Sequence, residues 1–245
     1  MQNIKGKVMA ITGAGAGIGR AVAMRLAENG AKVILGARNI KTLEKLAEEI
    51  RSAGGEAICT GIDVRNKADL DRFVNTAVEQ YGRLDVIVNN AGVSQLSRID
   101  ELDVEGWEEM IDINLKGVLY GMAAALPVFK QQQSGHIVNI ISTSGLKIVP
   151  MQGIYAGTKN AVRTISEAFR QESDGTVRIT GISPGFVKTD FAENIKNDEM
   201  KKMVRKGMEK IGIDPAAVAN AVIYAVSQPE DVEIGELVIR PSKQN

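Results

Sequence analysis

The amino-acid sequence predicts an α/β fold in which about seven strands form a doubly wound parallel sheet with helices on both faces. Short apolar runs rich in Val and Ile alternate along the whole chain with segments whose apolar residues recur at helical spacing. The runs show no polar alternation, which is typical of strands buried on both faces. Parallel strands need a long crossover between them, and a helix between successive strands supplies it.

The first predicted unit is a strand, a glycine-rich loop and a helix. Residues 8–11 form an apolar run, and helical spacing of apolar residues begins at Ile18. Glycine in the loop would let the backbone N–H groups at the positive end of the helix approach a pyrophosphate closely. A tight turn that binds nothing uses the same residues, but the flanking strands favour a nucleotide site. The loop consists of Thr12, Gly13, Ala14, Gly15, Ala16, Gly17, Ile18 and Gly19.

The later elements follow in strict alternation. Further strands are predicted at 32–37, 56–62, 84–88, 136–141, 177–182 and 236–240. Further helices are predicted at 40–53, 70–81, from 107 to the region of 131–134, at 155–172 and at 216–227. We expect the strand order 3-2-1-4-5-6, with one more strand added at the far edge.

Residues 186–213 interrupt this alternation because they are polar, charged and rich in methionine. We interpret them as a segment that covers the site within a single domain, residues 1–245, since no linker, repeat or low-complexity tract divides the chain. Met200, Met203 and Met208 would give the site an adaptable apolar lining, or they would be ordinary packing residues. A covering segment of this kind is where substrate choice is expected to be set.

Composition narrows the partners and the chemistry. Lys plus Arg and Asp plus Glu each number 30, without a basic stripe, which disfavours nucleic acid as a partner. The single cysteine, Cys59, cannot form an internal disulfide and is expected to be a buried structural thiol. Because His136 is the only histidine, we expect no metal cluster and interpret His136 as structural. No apolar stretch is long enough to span a membrane, so we expect a cytoplasmic protein.

Polar residues and glycines directly follow most of the predicted strands. The carboxyl ends of parallel strands share one edge of a doubly wound sheet, and ligands bind outside that edge. We therefore expect these residues to converge on one site. They are Arg38, Asp63, the run Asn89, Asn90, Ala91 and Gly92, then Ser142, Pro184 and Gly185.

Tyr155 and Lys159 lie four residues apart at the start of a predicted helix and therefore share one face. A free tyrosine has a pKa of about 10, and a neighbouring ammonium group together with a cationic nicotinamide ring in a partly desolvated site would lower that pKa toward neutrality. A phenol tuned in this way can exchange protons at neutral pH. The alternative is a solvated pair on the helix surface.

Two further polar residues could serve the same site. The Ser142 hydroxyl could donate a hydrogen bond to a substrate oxygen beside Tyr155. Asn114 lies within a helix of mostly apolar residues, where asparagine is unfavourable. Its amide therefore either faces solvent or has a buried polar role, such as holding a water molecule.

The end of the second strand indicates which nicotinamide cofactor is bound. Sites for NAD place an Asp or Glu there to bind the adenosine 2′-hydroxyl, whereas a 2′-phosphate favours Arg. In this chain Ala37 is followed by Arg38 and Asn39, so no acid is present. NADP(H) is therefore preferred over NAD(H), unless Arg38 is only a solvated cation at the strand end.

The motifs, in chain order, are Thr12 and Gly13 with Gly17 and Gly19, then Asp63, residues 89–92, Asn114, Ser142, Tyr155 with Lys159, and Pro184 and Gly185 with Thr189. Their order and spacing resemble the classical short-chain dehydrogenase/reductases over essentially the whole chain. The resemblance implies a Rossmann fold and hydride transfer between a nicotinamide cofactor and a carbonyl or secondary alcohol. It implies that Tyr155 is the general acid in reduction and the general base in oxidation, and that Lys159 lowers the pKa of Tyr155 and binds the nicotinamide ribose. Ser142 would polarise the substrate oxygen, and Asn114 would hold a proton-relay water.

The same resemblance assigns the cofactor contacts. Gly13, Gly17 and Gly19 would accept the pyrophosphate, Asp63 and Val64 would flank the adenine, Asn90 and Gly92 would border the adenosine ribose, and Thr189 with the Val187 backbone would fix the carboxamide. The other motif residues expected to border the cofactor are Thr12, Ile18, Ala91, Pro184 and Gly185. The resemblance also implies a homo-oligomer, a tetramer or dimer, assembled through the helices that carry Asn114 and Tyr155.

The end of the chain, residues 235–241, resembles NADP-dependent enzymes that act on 3-hydroxy acids and on small compounds such as serine. The expected substrate is therefore a small hydroxy acid or ketone. A 3-oxoacyl reductase of the same family and a regulator that senses NADP without catalysis are the alternatives. An S-adenosylmethionine-dependent transferase shares the glycine-rich first turn but gives no reason for the Tyr155 and Lys159 pair.

Overall fold

One parallel sheet of seven strands organises the protein, whose computed structural model describes residues 3–244. The strands are β1 (Val8–Thr12), β2 (Lys32–Ala37), β3 (Glu56–Gly61), β4 (Val86–Asn89), β5 (Gly135–Ile140), β6 (Val177–Pro184) and β7 (Glu236–Ile239). They lie in the order β3-β2-β1-β4-β5-β6-β7, and each neighbouring pair is parallel. The predicted fold class and strand order are confirmed, with β7 as the added edge strand.

Helices cover both faces of the sheet. They are α1 (Gly17–Glu28), α2 (Ile40–Ser52), α3 (Lys67–Tyr81), α4 (Val104–Met110), α5 (Gly117–Gln132), α6 (Gly153–Glu172), α7 (Asp198–Ile211) and α8 (Pro215–Val226). Met9 and Ile11 of β1 pack in one core with α1, α2 and α8, whereas Val8 and Ala10 pack in a second core with α3, α5 and α6. Alternate residues of a strand point to opposite faces, so one short strand contributes to both cores. Within residues 3–244, no helix has the length and apolar character needed to cross a membrane.

The long helix predicted from residue 107 is present but irregular. Helix α4 ends at Met110, a π-helical stretch spans Ile111–Lys116, and α5 continues from Gly117. A π turn inserts an extra residue and thereby shifts the following side chains around the helix axis. Asn114 lies in this stretch and is fully buried. Apolar spacing predicts the helix but does not reveal the inserted residue.

Residues 186–213 contain a helix that the sequence analysis missed. In α7 the residues Met200, Val204 and Met208 recur every four positions and are buried, while Met203 is exposed. The Asn197 side chain caps the helix, since its Oδ1 accepts hydrogen bonds from the backbone N–H groups of residues 199 and 200 at 3.1 Å. The apolar stripe of α7 is narrow and its other faces are charged, which explains why the segment looked irregular.

Cys59 is only half-buried, so the prediction of a buried thiol is wrong in degree. It lies on β3, and β3 is an edge strand that is paired on one side alone. Partial burial raises the pKa of the Cys59 thiol.

His136 lies at the start of β5 and is almost completely buried. Its Nε2 and the Thr180 hydroxyl on β6 form a hydrogen bond of 2.8 Å. Burial lowers the pKa of His136 from the ordinary value of 6.5 to about 3, and the nearby positive charges of Arg178 and Lys7 add to that effect. His136 is therefore neutral in the folded protein at physiological pH and has the structural role that the sequence predicted.

We expect His136 to make the protein lose stability as the pH falls. Below pH 6.5 the unfolded chain binds a proton at this histidine and the folded chain does not until about pH 3, so the unfolded state binds more protons. The free energy of unfolding should fall by about 1.4 kcal/mol per pH unit from this group across that window. His136→Asn keeps a polar partner for Thr180 and removes the titrating group. Its free energy of unfolding, measured by urea unfolding at several pH values, should therefore fall less steeply with decreasing pH than that of the wild-type protein. The carboxylates, which also titrate at low pH, are the same in both proteins. An equal dependence of the free energy of unfolding on pH in the two proteins would therefore contradict a lowered pKa for His136.

Candidate active site

A cleft of about 830 Å³ opens at the carboxyl ends of the central strands. The glycine-rich loop after β1 forms one end of it, and the segments that follow β4, β5, β6 and β7 form the rest. The predicted convergence of strand-end residues is therefore observed for most of them. The predicted residues that line the cleft are Gly13, Gly17, Ile18, Asn90, Ala91, Gly92, Ser142, Tyr155, Lys159, Pro184, Gly185, Val187 and Thr189.

The glycine-rich loop fits a bound pyrophosphate. Gly13 and Gly17 have φ angles of +65° and +53°, which side chains rarely adopt. A Cβ atom on Gly13 would lie 2.8 Å from the Asn90 side-chain nitrogen, so there is no room for one. Helix α1 begins at Gly17, and the preceding Ala16 offers no side-chain cap to the first N–H groups. These N–H groups and the positive end of the helix dipole are available to an anionic ligand in the cleft.

Thr12 and Asn90 hold the loop against β4. The Thr12 hydroxyl oxygen accepts hydrogen bonds from the backbone N–H groups of Asn90 at 3.0 Å and Ala91 at 3.2 Å. The Asn90 side chain donates to the carbonyl oxygens of Thr12 at 2.9 Å and Gly13 at 3.1 Å. Thr12 is buried behind the cleft, and it acts on the site by fixing these two strand ends together.

Tyr155 and Lys159 project from the first turns of α6 into the cleft. Only 9% of Tyr155 and 4% of Lys159 are exposed, which excludes the alternative of a solvated surface pair. The Lys159 Nζ atom donates a hydrogen bond to the Ile140 carbonyl at 2.9 Å and lies 6.0 Å from the centroid of the Tyr155 ring. The ammonium group is therefore fixed beside the phenol by the end of β5.

In the protein alone, the pKa of Tyr155 lies further from neutrality than that of a free tyrosine. Burial raises the pKa of Tyr155 to about 12, although a hydrogen-bonding contribution from Ser142 lowers it. Burial also lowers the pKa of Lys159 to about 8, because desolvation disfavours the charged form of each group. In the protein alone, the cost of burying a phenolate therefore sets the direction of the Tyr155 pKa.

Asn114 lies behind the cleft and has a buried polar role. Its Oδ1 accepts a hydrogen bond from the Val93 N–H at 2.8 Å, and its Nδ2 donates to the Val93 carbonyl at 2.9 Å. A Cβ atom on Gly92 would lie 3.3 Å from the Asn114 Oδ1 and 3.5 Å from the Lys159 Nζ. The prediction that Asn114 either faces solvent or has a buried role is thus resolved in favour of burial, and Gly92 lies between Asn114 and Lys159.

Five residues predicted to border the cofactor do not line the cleft, namely Thr12, Gly19, Arg38, Asp63 and Val64. Arg38 is exposed at the end of β2, and Asp63 follows β3. The Arg65 guanidinium, whose Nε donates to Asp63 at 3.0 Å, holds the pKa of Asp63 below its usual range. Val64 is buried where a Cβ atom on Gly117 would meet it. Gly19 is also buried, against the backbone of the loop rather than facing the cleft.

The structure adds lining residues that the sequence analysis missed. The Phe191 ring lies 6.2 Å from the Tyr155 ring, centroid to centroid, and Val204 of α7 also lines the cleft. Of the three methionines predicted as a possible apolar lining, Met208 lines the cleft, whereas Met200 and Met203 do not. Arg240 and Gln244 line the cleft after β7. Arg240 could have been found, since it is a polar residue directly after an apolar strand. Other missed lining residues are Ser94, Leu96, Thr143, Ser144, Lys147, Gln152, Phe186, Asp190, Glu193, Asn194 and Ile195.

Comparisons with known proteins agree with this geometry. The model of the short chain dehydrogenase family matches residues 7–200. An oxidoreductase of Listeria monocytogenes is 43% identical over 244 residues, which cover 98% of each chain. Among solved structures, an alcohol dehydrogenase of the archaeon Thermococcus sibiricus in complex with 5-hydroxy-NADP is 33% identical, with a TM-score of 0.88 and coverage of 98% and 99%. A serine dehydrogenase in its closed form with NADP+ is 32% identical, with a TM-score of 0.90 and coverage of 97% and 96%.

The family resemblance in the sequence motifs is confirmed by these matches along most of the chain. The structural neighbours contain a nicotinamide cofactor, and the glycine-rich loop of this protein has the backbone geometry that such a cofactor needs. The chain therefore belongs to the short-chain dehydrogenase family and is an NAD(P)-dependent oxidoreductase.

Proposed function

We propose that the protein is an NADP(H)-dependent oxidoreductase that interconverts a carbonyl and a secondary alcohol, with Tyr155 as general acid and base. The observation that carries the proposal is the buried Tyr155 hydroxyl in a cleft that also holds Ser142, Lys159 and the glycine-rich loop. A buried phenol beside a serine hydroxyl and an ammonium group is suited to proton transfer at a substrate oxygen. When bound, the nicotinamide supplies or accepts the hydride.

In the direction of reduction, Tyr155 donates its proton to the substrate oxygen while the Ser142 hydroxyl donates a hydrogen bond to the same oxygen. The raised pKa of Tyr155 keeps the phenol protonated and ready to act as an acid. In the direction of oxidation the phenol must first ionise. The Lys159 ammonium then stabilises the phenolate, and Asn114 would hold a water beside Gly92 and Lys159 through which the proton leaves.

Tyr155→Phe should reduce kcat by roughly 10²–10⁴-fold, because it removes the proton donor and keeps the ring that faces Phe191. Turnover is measured by NADPH absorbance with a panel of ketones and hydroxy acids. Tyr224→Phe makes the same chemical change at an exposed tyrosine of α8 outside the cleft and serves as the matched control. Full turnover by Tyr155→Phe would refute the assigned role. A wild-type protein that binds NADPH but turns over no compound of the panel would instead be a regulator.

Alcohol oxidation should accelerate with rising pH, since the Tyr155 pKa is raised by burial and the reaction needs the phenolate. We expect kcat/KM for oxidation to rise about tenfold per pH unit until the base is ionised. Below about pH 8, where Lys159 still carries its charge, Lys159→Met should lower kcat/KM for oxidation and thereby change the pH profile, because the phenolate loses its stabilising ammonium group. Lys130→Met, an exposed lysine in the last turn of α5, should leave the profile in place. A profile that Lys159→Met does not change would exclude Lys159 as the group that tunes Tyr155.

The preference for NADP(H) is supported by the charges at the ends of β2 and β3. Asp63 is the nearby acid, and it is engaged by Arg65. Within residues 3–244 the Arg38 side chain has no ion pair or hydrogen bond of its own, so its guanidinium is free to bind a 2′-phosphate. The two structural neighbours described above contain NADP or an NADP derivative.

Arg38→Gln should lower kcat/KM for NADPH by about tenfold or more, since a charge-assisted contact to the phosphate is lost. The value for NADH should change little, because NADH has no 2′-phosphate. The control is Lys45→Gln, which removes an exposed positive charge from the second turn of α2 and should leave kcat/KM for NADPH unchanged. Equal or better rates with NADH in the wild-type protein would overturn the preference for NADP(H).

A small hydroxy acid or ketone is the proposed substrate class, and residues 186–213 would cover it. Support comes from Phe191, Ile195, Val204 and Met208, all of which line the cleft on the side of Tyr155. The single-domain organisation, the homo-oligomer and the cytoplasmic location remain predictions.

A further inference from the structure

Some of the charged residues that line the cleft form ion pairs and others do not. Its lining includes Lys147, Lys159, Asp190, Glu193 and Arg240. Lys159 is buried beside Tyr155, and the Glu193 carboxylate is paired with Lys201 at 3.2 Å and with Arg205. Apart from the buried Lys159, the charged lining groups without an ion pair in the described part of the chain are Lys147, Asp190 and Arg240. Two of these three are positive.

Arg240 is held at the wall of the cleft by the sheet itself. It follows β7 directly, and the last residue of β7, Ile239, is paired in register with Pro184. The Gly185 N–H donates to the Ile239 carbonyl at 2.8 Å. A Cβ atom on Gly185 would lie 2.7 Å from the Cβ of Arg240, so the base of the arginine side chain packs on this glycine. The backbone and Cβ of Arg240 are therefore fixed beside the end of β6, and the guanidinium group extends from there.

Gln244 fastens the same segment to the two loops that flank the reacting centre. Its Oε1 accepts a hydrogen bond from the Phe186 N–H at 2.8 Å, and its Nε2 donates to the Thr143 hydroxyl at 3.3 Å. Thr143 is adjacent to Ser142, the residue proposed to contact the substrate oxygen. Residues 240–244 thus form a short wall tied to both the Ser142 loop and the Phe186 loop.

We propose that Arg240 binds a negatively charged group of the substrate, a carboxylate, and that Gln244 positions the segment that carries it. The proposal rests on the proposed oxidoreductase function and specifies its substrate class as hydroxy or oxo acids. A guanidinium can donate two parallel hydrogen bonds to a carboxylate, which fixes both the position and the orientation of a small substrate. Arg240 packs on Gly185, and Gln244 joins the same segment to the loop that carries Ser142, the hydroxyl that would polarise the substrate oxygen.

Lys147 is the competing cation, and the structure favours Arg240. Lys147 lies in an exposed loop, where the adjacent Ile148 is 84% exposed. The backbone N–H of Lys147 donates a hydrogen bond to the Thr143 carbonyl of the same loop. A lysine on such a loop is a flexible point charge, whereas Arg240 is anchored at a strand end and has a planar donor set. Asp190, the remaining unpaired acid, would repel a carboxylate placed beside it. A substrate carboxylate could therefore bind in this cleft only if a positive group offsets that repulsion.

The test compares two alcohols with the same carbon skeleton, 3-hydroxybutyrate and 1,3-butanediol, in oxidation by the full chain with NADP+. The measured quantity is the ratio of kcat/KM for the acid to kcat/KM for the diol. We expect Arg240→Gln to lower the ratio by about tenfold or more, which corresponds to the loss of a charge-assisted hydrogen bond, and Arg240→Lys to lower it less. Lys243→Gln removes an exposed positive charge three residues away, outside the cleft lining, and should keep the wild-type ratio.

A binding measurement separates this proposal from the proposed function. Calorimetric titration of butyrate, and of 1-butanol as its uncharged counterpart, into the NADP+-loaded protein needs no turnover. Tighter binding of butyrate that weakens about tenfold in Arg240→Gln supports the anion site even if neither alcohol is oxidised, in which case only the oxidoreductase proposal fails. A wild-type protein that oxidises the diol as well as the acid, an unchanged ratio in Arg240→Gln, or a loss seen in Lys147→Gln instead would overturn the assignment of Arg240. So would a tenfold weaker Kd for NADPH in Arg240→Gln, because the arginine would then serve the cofactor.

Discussion

Parallel pairing of β1, β4, β5 and β6 is the constraint on which the rest of the site depends. Because these strands run in one direction and in fixed register, their carboxyl ends finish at the same edge of the sheet. Hydrogen bonds between Thr12 and Asn90 then join the first two strand ends, which are 78 residues apart in sequence. The Lys159 ammonium is fixed in the same way, by the carbonyl of Ile140 at the end of β5. The Asn90 and Lys159 side chains are thus positioned by hydrogen bonds to backbone carbonyl groups.

Burial sets the electrostatics of the site, and it disfavours the charged forms of both Tyr155 and Lys159. It raises the pKa of Tyr155 and lowers that of Lys159, so the neutral form of each is favoured by desolvation. This arrangement suits a phenol that gives up its proton only when a further charge or a substrate oxygen is beside it. The same low-dielectric surroundings strengthen each polar contact that a bound substrate makes. A weakly solvated cleft therefore suits a reaction in which proton and hydride movements must be coordinated.

Close approach of backbone segments gives the site its shape. A side chain at Gly13 would meet Asn90, and a side chain at Gly92 would meet Asn114 and Lys159. The π-helical stretch at Ile111–Lys116 turns Asn114 inward, where its amide bonds to both polar groups of the Val93 backbone. Such π-helical insertions are frequent at functional sites because they reorient one side chain without ending the helix. The cleft is consequently bounded by fixed backbone on the cofactor side and by the side chains of residues 186–213 on the other.

The sequence by itself determined the order of strands and helices, the strand-end position of most site residues, and the helical spacing of Tyr155 and Lys159. These features depend on local periodicity and turn chemistry, which neighbouring residues specify. Helix α7 escaped this reasoning because its buried stripe of Met200, Val204 and Met208 is narrow. The reasoning left open whether Asn114 is buried, because the apolar spacing does not reveal the inserted residue of the π-helical stretch. Only the tertiary structure decided the direction of the Tyr155 pKa and the presence of Gln244 at the cleft. Desolvation and contacts between strand ends more than 50 residues apart depend on the whole packed chain, and no local pattern records them.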